Sequence, residues 1–226
     1  MNIITKAPKR FEDASLNRSG NTEAIREIKK FISTESIAAG NIRKCLILSG
    51  APGTGKTFSL YALLNSCRED REVRQVALQL DGFNSSFGKV SVWQSLGETE
   101  EDRQNSIEVM GVINPDWLQA WMIADFTVKE TMLQQARDVK ILGIDDLGME
   151  QNTNGIQAVI ELILNHRYTE EMTTIMTTNL SMQKFRDRYS ERIVDRLREW
   201  GIFYEITDRS YRGEPERLTE IEAAVK

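Results

Sequence analysis

Short unbroken apolar runs alternate with helical patterns along most of this chain. The runs CLILS at 45–49 and ILGI at 141–144 lack the polar alternation that half-exposed strands show. The segments at 57–67 and 155–168 carry apolar residues at helical spacing instead. Strands that are apolar on both faces and are separated by helices predict an α/β fold. We expect three layers, with a mainly parallel sheet between two layers of helices.

Local signals predict further elements. Apolar spacing over 25–32 predicts a first helix, and VRQVALQL over 73–80 predicts a second strand. Asn114, with Pro115 at the first helical position, predicts a helix start, and TVKE at 127–130 fits a capping box for the following helix. Towards the end, TTIMTTN predicts a strand, SERIVDRLREW a helix and IFYEI a last strand.

Composition narrows the class of protein. The 226 residues, 28% charged and 40% apolar, favour one globular domain. Because no apolar run approaches the roughly 18 residues of a membrane span, we expect a cytoplasmic protein without membrane contact. Two cysteines and a single histidine argue against a zinc site. The net charge of −5 argues against strong non-specific binding to duplex DNA, although it is compatible with a local basic groove.

The stretch GAPGTGKT at 50–57 matches the phosphate-binding pattern GxxxxGK[ST] and directly follows a predicted strand. Glycines let backbone N–H groups turn towards phosphate oxygens, and the next helix offers its positive end. The lysine neutralises the terminal phosphates, and the threonine hydroxyl ligates Mg²⁺. A plain glycine-rich turn is the alternative. The candidate ATP-binding residues are Gly50, Pro52, Gly53, Thr54, Gly55, Lys56 and Thr57.

Acidic and amide side chains follow two later strands. Asp145 and Asp146 end the strand ILGIDD, where Asp145 is expected to hold Mg²⁺ and Asp146 to deprotonate the attacking water. Two solvated carboxylates in a turn are the alternative. Asn179 follows TTIMTT at the same predicted edge of the sheet, where its amide could hold the attacking water. The residue types alone fit a helix cap at Asn179 equally well.

These motifs together resemble the DnaC/IstB-type AAA+ ATPases, which are bacterial and phage helicase loaders and transposition ATPases. The resemblance rests on GAPGTGKT, ILGIDDLG, LILNHRYTEEMTTIMTTNL, RIVDRLRE and SYR, with RFEDASL similar to the family's entry into the ATPase domain. It extends from about Arg10 to Arg212 and is strongest over 139–212. The resemblance favours the water-holding role for Asn179.

The resemblance also implies roles for arginines. Arg196, in DRL, matches the family's arginine finger, which reaches the nucleotide of a neighbouring subunit and links self-association to hydrolysis. Arg192 lies one helical turn away as the second candidate. Arg212, in SYR, matches the second sensor, which contacts the γ-phosphate in its own subunit. For each one, a solvated surface arginine is the alternative.

The resemblance implies the domain organisation as well. We expect a short N-terminal extension over 1–10, an AAA+ domain over 11–212 and a C-terminal tail over 213–226, without a separate helical lid domain. The long polar segment 82–113, which includes ETEED, is predicted to be an insertion that could bind a partner.

The function expected from the resemblance is ATP hydrolysis that loads a replicative DNA helicase onto single-stranded DNA, in a nucleotide-linked oligomer. A transposition regulator on duplex DNA would use the same residues. A small-molecule P-loop kinase, or an adaptor that binds ATP without hydrolysing it, is a more distant alternative. No NKxD motif for guanine is present.

Three other features fit structural roles. Trp117 and Trp121, one helical turn apart, are expected in the core, with base stacking as the alternative. His166 is expected to be structural. The arginine-rich run KFRDRYSERIVDRLR is expected to be a solvated helical face that could line a DNA channel in an oligomer.

Overall fold

A computed structural model describes residues 8–15, 45–69 and 110–207 of this chain. The helix predicted over 25–32, the strand predicted over 73–80, Arg212 and the predicted tail 213–226 lie outside these residues. The predicted absence of a lid domain concerns that last region and stays a prediction.

The described residues form five strands and six α-helices, with a short 3-10 helix at Lys9–Phe11. The strands are β1 (Cys45–Gly50), β2 (Met110–Ile113), β3 (Ile141–Leu147), β4 (Thr173–Thr178) and β5 (Gly201–Ile206). The helices are α1 (Lys56–Glu69), α2 (Pro115–Ile123), α3 (Phe126–Asp138), α4 (Asn154–Thr169), α5 (Met182–Arg188) and α6 (Glu191–Trp200).

The described strands form one parallel sheet in the order β2-β3-β4-β1-β5. Ser49 pairs with Thr178, and Leu147 pairs with the same residue from the other side. The carboxyl ends of β1, β3 and β4 therefore meet at one edge of the sheet, where parallel α/β proteins bind ligands. The predicted parallel sheet is confirmed.

Both faces of the sheet are buried, as the unbroken apolar strands predict. On β1, Leu46 and Leu48 pack with Leu60 and Leu63 of α1 on one face. Cys45 and Ile47 pack on the other face, in a larger cluster that includes residues of α2, α3, α4 and α6. The alternate residues of each strand thus serve two cores, so the domain has three layers.

The edge strand β2 differs from the sequence-based prediction. Met110–Ile113 lies in the segment assigned to an insertion, yet these residues pair with Ile141–Ile144 of β3. Four residues are too few to show a period, so only the pairing with β3 defines this strand. Residues 82–109 lie outside the described residues, and an insertion there stays a prediction.

Helix starts are partly as predicted. Asn114 caps α2, because its side chain accepts a hydrogen bond from the Trp117 N–H at 2.9 Å, with Pro115 at the first helical position. The capping box expected at 127–130 is wrong. Helix α3 begins earlier, and its cap is Asp125, whose Oδ1 accepts the Val128 N–H at 3.0 Å.

The tryptophans occupy different environments. Trp117 is 1% exposed and lies in the larger core, as predicted. Trp121 is half-buried and packs against that core. Its indole N–H donates to the carbonyl of Lys129 at 3.2 Å, and the Lys129 ammonium lies 5.3 Å from the ring centroid. Both rings therefore pack against the larger core, although only the indole N–H of Trp121 has a hydrogen-bond acceptor among the described residues.

Among the residues that the structure describes, no helix has the length and apolarity needed to cross a bilayer.

Candidate functional site

The glycine-rich loop joins β1 to α1 at the carboxyl edge of the sheet. Gly53 and Gly55 have φ values of 88° and 87°, a backbone region that side chains rarely adopt. Ser59 donates its N–H to the Gly55 carbonyl at 2.8 Å, so α1 begins directly after the loop. The first N–H groups of a helix have no carbonyl partner within it, which suits this end to a phosphate.

The loop is held in shape by its own side chains. Thr54 is buried, and its hydroxyl donates to the Ala51 carbonyl at 2.9 Å, while Pro52 is exposed at the loop's tip. The Lys56 ammonium donates to the carbonyls of Gly50 and Ala51 at 2.9 and 2.8 Å. The positive charge thus lies inside the loop, where the pattern GxxxxGK[ST] requires it.

A hydroxyl and a carboxylate meet beside the loop. Thr57, in the first turn of α1, donates its hydroxyl to Oδ1 of Asp145 at 3.0 Å. The two residues are 88 positions apart in sequence, and only the sheet brings them together. Hydroxyl and carboxylate oxygens are ligands that Mg²⁺ accepts, usually with few protein ligands and several waters or phosphates. The donor set therefore fits Mg²⁺ beside a nucleotide.

The described residues hold no group of three or more metal-ligating His, Cys, Asp or Glu side chains.

An irregularity in β3 sets the positions of both aspartates. Ile144 pairs with Met176 and Leu147 with Thr178, so Asp145 and Asp146 together oppose the single residue Thr177. Asp146 has a φ of 54°, in the left-handed region. Asp145 is buried, whereas Asp146 is half-buried. The bulge places the two adjacent carboxylates in different environments.

Thr177 is a site residue that the sequence analysis missed. Its hydroxyl donates to Oδ1 of Asp145 at 2.6 Å and accepts the Asp146 N–H at 2.8 Å. Threonine is common in strands, so TTIMTT gives no sign of this role. Only the pairing of β3 with β4 shows it.

The pKa of the Asp145 carboxyl is raised, mainly because burial disfavours its charged form. The negative charge of Asp146 raises the pKa further, while hydrogen bonds from Thr177 and Thr57 act in the opposite direction. A bound divalent cation would favour the ionised carboxylate, so metal binding and proton release should be linked at this residue.

Asn179 lies at the same edge of the sheet as the aspartates. The hydroxyl of Thr178 donates to the Leu147 carbonyl at 2.6 Å, and the Ser49 hydroxyl donates to the Leu180 carbonyl at 2.9 Å. The residues on both sides of Asn179 are therefore tied to β3 and β1. The alternative of a helix cap at Asn179 is wrong, because Ser181 caps α5. Its contact with an attacking water stays a prediction.

The two arginines of α6 differ in their contacts. Arg196 is half-buried, donates to Oδ1 of Asn165, and its guanidinium lies 5.3 Å from the ring centroid of Tyr168. Arg192 is exposed and has no hydrogen-bond or ion-pair partner within the described ranges. The structure therefore places Arg196 against α4 and leaves Arg192 in solvent.

His166 is bound by neighbouring side chains. Its Nδ1 lies 3.1 Å from Nη2 of Arg137, and its Nε2 lies 3.5 Å from Oδ1 of Asp138. The pKa of His166 is lowered, first by burial and then by the positive charge of Arg137. These contacts agree with the structural role expected for it.

No protein-family model matches the chain. Similar curated proteins include the replicative helicase loader DnaC of Escherichia coli K12, which is 24% identical over 197 residues and 85% of this chain. The DnaC of Buchnera aphidicola subsp. Schizaphis graminum is 22% identical over 83% of this chain. The aligned region spans 66% and 62% of the length of these two relatives.

Solved structures share the fold. A crystal structure of DnaI matches with a TM-score of 0.60 at 23% identity, covering 91% of this chain and 94% of that one. The DnaC helicase loader matches with a TM-score of 0.58 at 20% identity, over 88% and 100%. The initiator DnaA bound to AMPPCP and single-stranded DNA matches with a TM-score of 0.57 at 20% identity, over 92% and 55%. In sequence this chain is therefore similar to the DnaC helicase loaders, and in fold it is similar to the DnaI, DnaC and DnaA structures.

Proposed function

We propose that this protein hydrolyses ATP with Mg²⁺ and uses the hydrolysis to load a replicative DNA helicase onto single-stranded DNA. The observation that supports hydrolysis best is the pairing of Thr57 with Asp145 at 3.0 Å, beside the phosphate-binding loop. A loop that only bound nucleotide would not need two carboxylates at the end of β3, which lies at the same edge of the sheet.

Each residue of the loop and strand ends has a proposed task. The loop 50–55 and the first turn of α1 bind the phosphates through backbone N–H groups, and Lys56 neutralises their charge. Thr57 and Asp145 hold Mg²⁺, which when bound neutralises negative charge on the terminal phosphates. Asp146 takes the proton of the attacking water, and Asn179 orients that water.

We further propose that hydrolysis requires a second subunit. Arg196 is the proposed finger, which stabilises negative charge at the nucleotide of its neighbour. To do so it must leave Asn165 and Tyr168, so assembly would compete with contacts inside the subunit. Arg192, exposed one turn earlier on α6, is the alternative finger. Arg212 is proposed to contact the γ-phosphate in its own subunit.

The loading activity is proposed from the relatives. Two of the curated relatives are named replicative helicase loaders, and a structure with the same fold is bound to single-stranded DNA. Since the match spans about two thirds of those loaders, the helicase and the DNA remain proposed partners of this chain.

The first test measures the ATPase rate per subunit against protein concentration, with and without single-stranded or duplex DNA. We expect a rate that climbs with concentration and rises further with single strands, and no rate above background for Lys56→Ala. Stimulation by duplex alone would instead support a transposition regulator. Phosphate transfer to a small acceptor, without any response to DNA, would support a kinase. Binding of ATP without turnover would support an adaptor that does not hydrolyse ATP.

A further inference from the structure

A buried carboxylate lies just beyond the catalytic aspartates. Glu150, in the loop between β3 and α4, is 6% exposed. Its Oε2 accepts the Gly148 N–H at 2.6 Å, and its Oε1 accepts the Tyr189 hydroxyl at 2.7 Å. The same Oε1 accepts both Nε and Nη2 of Arg188, at 3.1 and 3.0 Å. One side chain therefore joins two segments that are 38 residues apart in sequence.

On one side, Glu150 fixes the turn that follows Asp146. The Met149 N–H donates to the Asp146 carbonyl at 3.0 Å, which closes a tight turn. Gly148 within it has a φ of 99°, and a Cβ there would lie 2.6 Å from Cδ1 of Leu180. Gly148 thus packs closely against the Leu180 side chain on one side, and it donates its N–H to the Glu150 carboxylate.

On the other side, Glu150 holds the entry to α6. Arg188 is the last residue of α5, Tyr189 follows it, and Ser190 is the N-cap of α6. Nη2 of Arg188 also donates to the Glu150 carbonyl at 2.6 Å. The helix that starts here contains both finger candidates, and the two residues before its N-cap are tied to the loop that follows Asp146.

Stability alone is a poor reason for this arrangement. The Glu150 side chain is 2% exposed and that of Arg188 is 19% exposed, so both charges are largely removed from water. Such removal costs about as much free energy as the attraction of the charges returns, and apolar residues of similar volume often stabilise a fold equally well. Buried charge pairs do, however, restrict the geometry of the groups that they join, because few arrangements satisfy all the donors. The feature that these bonds restrict is the position of the Asp146 turn relative to the start of α6.

We propose that Glu150 is a positioning residue, which holds the base Asp146 and the finger of the same subunit in a fixed relation. The inference rests on the proposed hydrolysis between subunits. Asp146 serves the subunit's own nucleotide, and the α6 arginine serves the neighbour's. Glu150 thereby connects the base of one ATP site with the arginine finger of the next site, both of which the same subunit contributes.

The test uses mixtures in which only one kind of interface can hydrolyse ATP. Subunits with Arg192→Ala and Arg196→Ala keep the base but have no finger. Subunits with Asp146→Asn keep both arginines but have no base. Each protein alone should be inactive, and the parent mixture should recover activity where the second protein offers its arginine to the nucleotide of the first.

Glu150→Gln is then added to one partner at a time. The glutamine keeps the size of the side chain, but it cannot accept from Gly148, Arg188 and Tyr189 all at once. We expect turnover at saturating ATP to fall about tenfold or more in both placements, since small displacements of catalytic groups have effects of this size. Nucleotide affinity should stay within about twofold, because the Glu150 carboxylate accepts from Gly148, Arg188 and Tyr189, which lie outside the loop 50–57. Glu130→Gln, an exposed change on α3, is the matched control.

The outcomes distinguish the proposed hydrolysis between subunits from the proposed role of Glu150. An inactive parent mixture overturns hydrolysis between subunits, and this inference with it. An active parent mixture that Glu150→Gln leaves at the rate of the Glu130→Gln control overturns the role of Glu150 alone. Loss in only one placement overturns the connection between the two sites.

A second variant covers the case in which Glu150→Gln fails to fold. Tyr189→Phe removes one hydrogen bond to Glu150 and keeps the ring, whose centroid lies 4.6 Å from that of Phe185. It should lower turnover in both placements while the melting curve stays cooperative. Unchanged turnover in a folded Tyr189→Phe mixture would also overturn the proposal.

Discussion

The hydroxyl of Thr177 lies 2.6 Å from Oδ1 of Asp145, and the same hydroxyl accepts the Asp146 N–H at 2.8 Å. One side chain on β4 therefore orients both aspartates at the end of β3. Because Thr57 donates to the same Oδ1, the carboxylate of Asp145 receives hydrogen bonds from two elements. Its position is determined before any metal binds.

Thr177→Val should destabilise the protein by about 1 to 3 kcal/mol, because it removes a buried hydrogen bond to Asp145 and leaves the partly buried Asp146 N–H without this acceptor. Valine has nearly the same shape as threonine but cannot accept from Asp146 or donate to Asp145. Urea unfolding measures the free energy of unfolding. Thr177→Ser keeps the hydroxyl and is the control. If valine and serine variants are equally stable, the hydrogen bonds contribute little.

Asp145→Asn should stabilise the nucleotide-free protein at neutral pH while abolishing ATP hydrolysis. The folded-state pKa of Asp145 is raised by burial, so the folded protein favours the neutral form. The stability that this group contributes is full below its unfolded pKa and is lost as pH rises through the folded pKa. The advantage of asparagine should therefore shrink on acidification.

This linkage is tested by measuring the free energy of unfolding of the parent and of Asp145→Asn at several pH values between about 8 and about 5. The exposed change Asp13→Asn should show no such trend. An asparagine variant that is less stable than the parent at pH 8 would mean that the hydrogen bonds outweigh burial.

The single histidine gives a direct electrostatic measurement. The pKa of His166 is lowered from 6.5 by burial and by Arg137, so we expect the one imidazole in the NMR spectrum to titrate below 6.5. Stability from a neutral His166 is present above its unfolded pKa and is lost as pH falls. Arg137→Met should raise the pKa, whereas the exposed change Lys140→Met should not. A value above 6.5 would indicate that Asp138 dominates.

Arg167 is a buried cation without a carboxylate partner in the described part of the chain. Its pKa is lowered to about 9 by burial, so it stays charged at neutral pH. Its guanidinium donates to the Thr174 hydroxyl and to five carbonyls, those of Ala136, Arg137, Val139, Lys140 and Thr173. It thus joins the end of α3 to the starts of β3 and β4.

Arg167→Leu should lower the free energy of unfolding by about 3 to 5 kcal/mol, as expected when one partner of a buried polar network is removed. Denaturant unfolding gives the number, and the exposed change Arg186→Leu is the control. A loss below about 1 kcal/mol would mean that water replaces the guanidinium at these carbonyls.

Alanine variants of Arg196 and Arg192 should differ in their effect on the free energy of unfolding. Arg196→Ala loses the contacts with Asn165 and Tyr168, so we expect a loss of stability of about 0.5 to 1.5 kcal/mol together with loss of turnover. Arg192→Ala should leave stability unchanged. Should Arg192→Ala be inactive by itself and regain turnover when it is mixed with Asp146→Asn subunits, the finger is Arg192.

The parts of the fold that were predictable are those with a local cause. The unbroken apolar run of β1 indicates burial on both faces wherever the strand lies, and GAPGTGKT determines a loop conformation through its own glycines and lysine. Asn114 with Pro115 starts a helix for reasons confined to a few residues. Strand β2 and the cap at Asp125 were not predicted, because each sequence signal is only a few residues long. Neighbouring residues fit a strand or a helix cap equally well.

The sequence by itself determined which chemistry is available: a phosphate loop, two adjacent carboxylates and an amide after three buried strands. Only the tertiary structure decided which side chains support them. Thr57 and Asp145 are 88 residues apart, and Glu150 and Arg188 are 38 apart. Such pairs depend on strand order and on the bulge in β3. No local propensity encodes a contact whose two halves become neighbours only when the sheet has formed.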